Sequence, residues 1–490
     1  MINLRQNKGF ALTFSLIFLF LIVSFMTVYM LAVSNGVSVA NRTANLKKAY
    51  YVADAGLADA YERITQAGNN LVIPPAGTPY IPSATTDNGS YSTGNSTGNY
   101  TVTVTISQVP QLNFTITSVG TFGGASKTLQ LKMTWASVSK FAYWSQTEIN
   151  PTYGVLWWVG APGLEMLTTG PVQTNGQLNI FGNPIFNGPV VESNLPLLAG
   201  NVLGNVPNST TPNYYYGAGT TGLKSNASVI FPQGITNDAP PVTSPVQNTL
   251  GLINTVANDG QGMVLTGAST IIFNPSGTIT VTGTVKNASG TTTATYNNKT
   301  MTPPANGVIY VQSNSGKPPK GCTSNNACDG NVTVQGTVNG QLTIAADQNI
   351  NISGNVAYNS DPRTNPNSTD MLGLVANQNI TVIQASAFAN DGPKLEVSGV
   401  LVALQGSFQV DQWWVNMGNA TTAVMDQYGS LINYVCGATG EMDLSGNLLG
   451  GWNQIQSYDK RLGSMAPPGF PPMVNNAGNA VYTKLSIAEL

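Results

Sequence analysis

From Gly9 to Asn41 the chain has no Asp, Glu, Lys or Arg, and the run is rich in Phe, Leu, Ile, Val and Met. As a helix, residues 10–41 would span about 48 Å, more than the roughly 30 Å of a bilayer core. Beyond it the pattern changes. Ala49, Ala53, Gly56, Leu57, Ala60 and Ile64 recur at steps of four, three, one, three and four, which puts them on one helical stripe. Small residues there permit close packing against a second helix or a sheet. Asp54, Asp59, Glu62 and Arg63 fall largely off the stripe. Together the two patterns predict one continuous helix, Phe10 to Gln66, stopped by Ala67-Gly68-Asn69-Asn70.

Period-two patterns follow. Residues 69–99 read as turns and loop. Residues 100–106 and 113–119 alternate apolar and polar, and Gly123-Gly124 turns the chain into a third strand over 127–133. This antiparallel β-meander needs an apolar partner for one face, and the second half of the helix supplies one. Further on, short strands are expected at 332–334, 342–344, 350–352, 372–375, 380–383, 395–397 and 400–404, with Asn and Gly between them. Asp347-Gln348-Asn349-Ile350-Asn351-Ile352 and Asn377-Gln378-Asn379-Ile380-Thr381-Val382 repeat at an offset of thirty residues. Gly340-Gln341-Leu342-Thr343-Ile344 echoes Gly176-Gln177-Leu178-Asn179-Ile180. Such spacing suits a stacked solenoid. The expected fold class is α+β at the N-terminus, then mainly β: a right-handed parallel β-helix over about 160–445, with a β-sandwich as the alternative. Insertions are expected within 200–330, with polar loops at 208–222 and 291–299.

Composition narrows the chemistry. Only 8% of the 490 residues are charged, against about 25% in ordinary globular chains. The net charge is −2 and no basic block occurs, so there is no electrostatic footprint for nucleic acid. The chain has no histidine, which removes Ser-His-Asp and Cys-His catalysis and every His-ligated metal site. Cys322 and Cys328 enclose a five-residue turn-forming loop. They would form a local disulfide outside the cytoplasm, or stay as two free thiols, with Cys436 left over. Trp157-Trp158 and Trp413-Trp414 would stack on sugars, or place one ring in the core and one outside. Asp361, Arg363 and Asp370 would hold Ca²⁺ or form a carboxylate pair for glycoside hydrolysis; the alternative is an Asp-Pro turn closed by an Arg–Asp ion pair. No cofactor is implied, and nothing positive indicates an enzyme.

Lys8-Gly9-Phe10 closes a short cationic segment, and residues 49–57 read Ala-Tyr-Tyr-Val-Ala-Asp-Ala-Gly-Leu. Together these resemble a type IV prepilin N-terminus, and specifically the PilX N-terminal family of minor pilins and pilus-assembly proteins. The resemblance implies a leader over 1–9, cut after Gly9 by a prepilin peptidase to expose Phe10. It also implies an anchor and packing helix over 10–68, a pilin-like meander over 69–136 and a head over 137–490. The protein would reside in the inner (cytoplasmic) membrane, single-pass with a large extracytoplasmic part, and then reach the pilus at the cell surface. Its partners would be other pilins and minor pilins and the inner-membrane assembly machinery. Two residues depart from the pattern. Asp54 stands where the family commonly has Glu, and Phe14 stands at the fifth position after the cut, where major pilins carry Glu. Loss of that acid is typical of minor, tip-type components.

Phe141-Ala142-Tyr143-Trp144, the Gly-Pro-Val segments at 170 and 188, and Asp361-Pro362-Arg363 with Tyr458-Asp459-Lys460-Arg461 look like an uncharacterised domain family fused to PilX-type N-termini. Its first Gly-Pro-Val is usually followed by His; here Gln173 follows. The implied function is a non-enzymatic minor pilin that primes assembly or presents an adhesive head, with surface glycans as partners. The alternatives are a membrane-tethered carbohydrate-active protein and a competence or secretion pseudopilus component. A signal peptide cut near Ser38-Val39-Ala40 is a further rival; its apolar region would be too long and the 49–64 stripe would go unexplained.

Overall fold

The computed structural model describes residues 8–66, 79–80, 88–93, 96–107, 113–156, 158–160, 167–176, 178–182, 184–193, 214–216, 230–242, 249–286, 290–313, 329–417, 423–442, 447–470, 473 and 481–490. The chain opens with a single helix, α1 (Lys8–Gln66), of 59 residues. Its two halves are solvated differently. Between Phe10 and Arg42 every side chain is exposed except the half-buried Ser24. Ser15, Thr27 and Thr43 turn their hydroxyls back onto the carbonyls of Ala11, Val23 and Val39 at 2.7–2.9 Å, so these groups need no water. From Ala49 onward one stripe is buried against a sheet.

That sheet is the meander. Strands Ser96–Ser107, Asn113–Phe122 and Ala125–Trp135 pair antiparallel in sequence order. Gly123 and Gly124 both take positive φ, as the two-residue turn between the last pair requires. Val104, Phe114, Ile116, Leu129, Leu131 and Met133 meet Ala53, Leu57, Ala60 and Ile64 of α1 in one apolar cluster. The head as expected over 137–490 includes the last strand, Tyr482–Glu489, yet this strand pairs antiparallel with Ala125–Trp135 and extends the meander. Lys484 lies over the Tyr61 ring of α1, 4.4 Å from its centroid, and Lys127 pairs with Glu489.

The body between them is mostly β and mostly parallel. One column of paired residues runs Ile309, Ile344, Leu374, Leu401, Leu431, Tyr143, Val172, Val190. Parallel pairing from rung to rung counts against the sandwich alternative, whose sheets are antiparallel. The chain enters at the middle of this column with Tyr143–Thr147 and builds outward to Val190–Ser193. It then crosses to the far end at Met263–Phe273 and returns rung by rung until Val424–Val435 closes on Tyr143–Thr147. Part of the crossing is helix Thr249–Ala257, which lies on the outer face of the ladder. There Ile253 and Ala257, with Leu462, Ala466, Phe470 and Met473 from the tail, cover Val308, Tyr310, Val375, Val402 and Ile432. Both faces of these strands are therefore buried, which is why they read as apolar runs instead of alternating.

The thirty-residue repeat marks a corner. The Asn331 side-chain oxygen accepts from the Asn349 N–H (3.0 Å), that of Asn349 from the Asn379 N–H (3.0 Å), and that of Asn379 from the Ser407 N–H (2.9 Å). Each asparagine thus satisfies the backbone of the next rung. Residues 395–397 and 400–404, expected as separate strands, belong largely to one strand, Lys394–Ala403, bent at Gly399. On the paired rung, a Cβ at Gly429 would sit 2.1 Å from the Gly399 carbonyl oxygen, so only glycine fits that bend. The loop expected at 291–299 is instead a strand, Thr292–Met301, on an antiparallel excursion with Met263–Phe273 and Ile279–Lys286. It is largely exposed on both faces, so it carries no apolar alternation; its Thr-rich backbone pairing holds it. Of the loop expected at 208–222, the described residues are strand Tyr214–Tyr216.

Candidate functional site

The N-terminal helix holds the residues expected to direct processing and packing. Gly9 is the second described residue of α1, and Phe10 follows at 74% exposure, its ring stacked on Phe14 at 6.4 Å. Phe14 is 64% exposed. In the second half Ala49, Ala53, Leu57 and Ala60 are buried. A Cβ at Gly56 would meet the Ser118 hydroxyl at 2.4 Å and the Tyr100 ring at 2.9 Å. Across the contact, a Cβ at Gly120 would meet the Ala53 nitrogen at 2.3 Å and the Ala49 oxygen at 2.4 Å, so helix and strand backbones touch. Off the stripe, Asp59 accepts from the Tyr100 hydroxyl (3.1 Å) and pairs with Arg63 (2.8 Å), while burial and this carboxylate push the Tyr100 phenol up.

The charged motifs of the body converge although they are far apart in sequence. Arg363 pairs with Asp361 (2.9 Å), Asp426 (2.6 Å) and Glu396 (3.4 Å), with its guanidinium over the Tyr428 ring. Both oxygens of Asp370 accept backbone N–H groups, from Gly340 and Ser360, each at 2.7 Å. Arg461 pairs with Asp459 (2.6 Å) and donates to the Ser368 and Asp370 carbonyls, each at 2.8 Å. Asp361 is thus held by a guanidinium and Asp370 by amides. Among the described residues no group of three or more Cys, Asp and Glu side chains converges to hold a metal. Burial raises the Glu396 carboxyl, opposed by the Ser398 hydroxyl and Arg363. Glu396 and Asp426 are thus bridged by Arg363 as an ion-pair cluster.

Trp413 and Trp414 meet edge to face at 5.5 Å, and Tyr153 meets Trp413 edge to face at 5.6 Å. Trp414 is 49% exposed and Tyr153 42%, so two of the three rings face solvent. Gln412, just before the pair, has φ +49°, an uncommon backbone state for a residue with a side chain. Trp158 belongs to the core. Trp157, Cys322 and Cys328 lie outside the described residues. Cys436 is a free thiol pushed well up by burial, with Glu148 adding to the shift.

A buried polar group escaped the sequence reading. The column beside the apolar one runs Val311, Ala346, Ala376, Ala403 and then turns polar at Asn433, Ser145, Thr174 and Glu192. Beside it Glu148, 1% exposed, accepts from the Tyr143 hydroxyl (3.0 Å), the Ser145 hydroxyl and the Trp158 indole (3.2 Å). Burial raises its carboxyl, while these three donors hold it down. An isolated Glu in Gln-Thr-Glu-Ile gives no sequence signal of this.

The sequence matches no protein-family model, and it matches no curated protein. Among solved structures, the competence-associated pilin ComZ from Thermus thermophilus aligns over 91% of this chain and 97% of its own at 13% identity, with a TM-score of 0.27. At that score the alignment carries no weight for fold or function.

Proposed function

We propose that this chain is a non-enzymatic, pilin-like membrane protein whose helix carries a large β-rich head into a type IV pilus as a minor component of the PilX kind. One observation carries the reading. A single helix has a bare apolar half long enough to cross a bilayer and a small-residue half packed on an antiparallel sheet. Phe14, in place of the acid that shaft subunits carry, supports a minor or tip position. Gly9-Phe10 is the proposed processing site, and the body is read as a right-handed parallel β-helix on the strength of its rung-to-rung parallel pairing. Tyr153, Trp413 and Trp414 form the proposed adhesive surface toward glycans.

The test is the mature mass. Wild-type protein should lose residues 1–9, and Gly9→Leu should retain them. A normal mature mass in the variant overturns the prepilin assignment. Deletion of the gene should reduce piliation or adhesion. Loss of DNA uptake with intact pili would assign the chain to a competence pseudopilus instead.

A further inference from the structure

Inside the body one column of paired residues runs Val356, Val397, Gln427, Gln456, Thr168 and Phe186, each on a neighbouring parallel rung and each 0% exposed. Val356, Val397 and Phe186 belong to the apolar core. The middle three are polar. Gln456 donates its amide N–H to the Ala142 carbonyl at 2.6 Å, but its Oε1 has no partner among the described residues. Both amide atoms of Gln427 and the Thr168 hydroxyl are likewise buried without a partner. Nearly every buried donor and acceptor in a native interior is satisfied by protein or by ordered water. Four unmade atoms on three successive rungs therefore call for a ligand.

These rungs form the joint between the two halves of the body. Thr168 belongs to the outgoing half, Gln427 and Gln456 to the returning half. Val424–Val435 shares five paired residues with Asn453–Ser457, whereas Leu167–Thr169 meets Asn453–Ser457 through one pair, Thr168 with Gln456. The backbone ladder is thin there, so side chains must hold the joint. On the next residue the Thr169 hydroxyl accepts from the Tyr458 N–H at 2.7 Å. Thr168 and Gln456 are paired across a rung spacing of about 4.8 Å with no bond between their side chains. The Thr hydroxyl ends two bonds nearer the backbone than a Gln amide does, which leaves that span to a bridging molecule.

The donor set identifies the molecule. The column offers an amide N–H₂, two amide oxygens and a hydroxyl, with no carboxylate. Water both donates and accepts, and a buried water takes about two to four polar partners. A divalent cation is ordinarily held with carboxylates, and the Gln427 N–H₂ would oppose it. With all six residues closed to solvent, a larger ligand has no way in. We infer that ordered water is a structural ligand of this column, bridging Gln427, Gln456 and Thr168 and so tying the returning half of the body to the outgoing one.

The test uses the full chain in non-ionic detergent, unfolded by denaturant and followed by near-ultraviolet circular dichroism. Gln427→Met and Thr168→Val keep the side-chain shape and remove the polar atoms. With bridging water, each should lower the folding equilibrium constant about five- to thirtyfold, because the water and its other partners are stranded. The double variant should lose little more than either single one, since both break one network. Dry, unpartnered atoms would instead be a burden, so a constant that rises in either variant overturns the proposal. Losses that multiply in the double variant overturn the bridge. A direct Gln427–Gln456 bond would spare Thr168, so a neutral Thr168→Val also overturns it. If the apolar variants do not fold, nuclear magnetic resonance of wild type labelled with ¹⁵N-glutamine decides. The Gln427 side-chain amide, assigned from Gln427→Asn, should show a rotating-frame Overhauser contact to water, and its absence overturns the site.

Discussion

The two halves of α1 are one helix with two kinds of surface, one bare and apolar, the other packed on a sheet. The first half exposes Phe10, Phe14, Phe20 and Met26 with no protein against them. The second hides Ala49, Ala53 and Leu57 on a sheet. In water the first half would be a large uncompensated apolar surface; in lipid the same residues cost nothing and the helix satisfies its own backbone. In the second half the limit is distance, not polarity. Ala and Gly recur there because Gly120 brings a strand backbone onto the helix backbone. A change in side-chain size should therefore matter only in the second half, and a change in charge chiefly in the first.

The largest effect is expected at the tightest contact between α1 and the meander. Gly120→Val places a branched side chain where backbone atoms lie within 2.4 Å, and should cost about 3 kcal/mol or more, read as a lower denaturant midpoint in detergent. Met26→Asp should leave that midpoint unchanged but raise the cost of insertion by about 2.5–3.5 kcal/mol, read as release on alkaline extraction. A matched pair sharpens the contrast. Ala53→Leu should destabilise by about 1–3 kcal/mol and Ala32→Leu by less than about 0.5 kcal/mol. Equal effects at the two sites would erase the distinction between the halves.

The head adds a smaller, pH-dependent effect. Burial raises the folded-state affinity of Glu148 for its proton. Below about pH 4.3, the ordinary Glu value, folded and unfolded chains are both protonated there and the contribution of this group to stability is highest. As pH rises past it, the unfolded chain ionises first and stability falls until the folded carboxyl ionises too. Glu148→Gln should flatten this slope in thermal melts followed by near-ultraviolet circular dichroism.

Much of the fold was legible because physics wrote it locally. An uncharged run and a small-residue stripe announce α1, alternation announces the meander, and the thirty-residue Asn repeat is the corner ladder of Asn349 and Asn379. What escaped lies in long-range pairing. Strand Tyr482–Glu489 returns to the meander from the far end of the chain, and nothing in its own residues names that partner. Thr292–Met301 has no buried face to read. At the candidate sites, the Asp361 and Asp459 motifs were visible but not their meeting around Arg363, Arg461 and Asp370. Tyr153 and Glu148 gave no signal, since each gains its meaning from neighbours brought by other rungs.

The central claim is tested most directly by photolabelling. The full chain, reconstituted in phospholipid vesicles, is exposed to a hydrophobic carbene reagent confined to the acyl chains, and the label is mapped by peptide mass spectrometry. It should concentrate between Phe10 and Val33 and be absent from Ala49 to Ile64. Label spread evenly over both halves, or missing from the first, would contradict it.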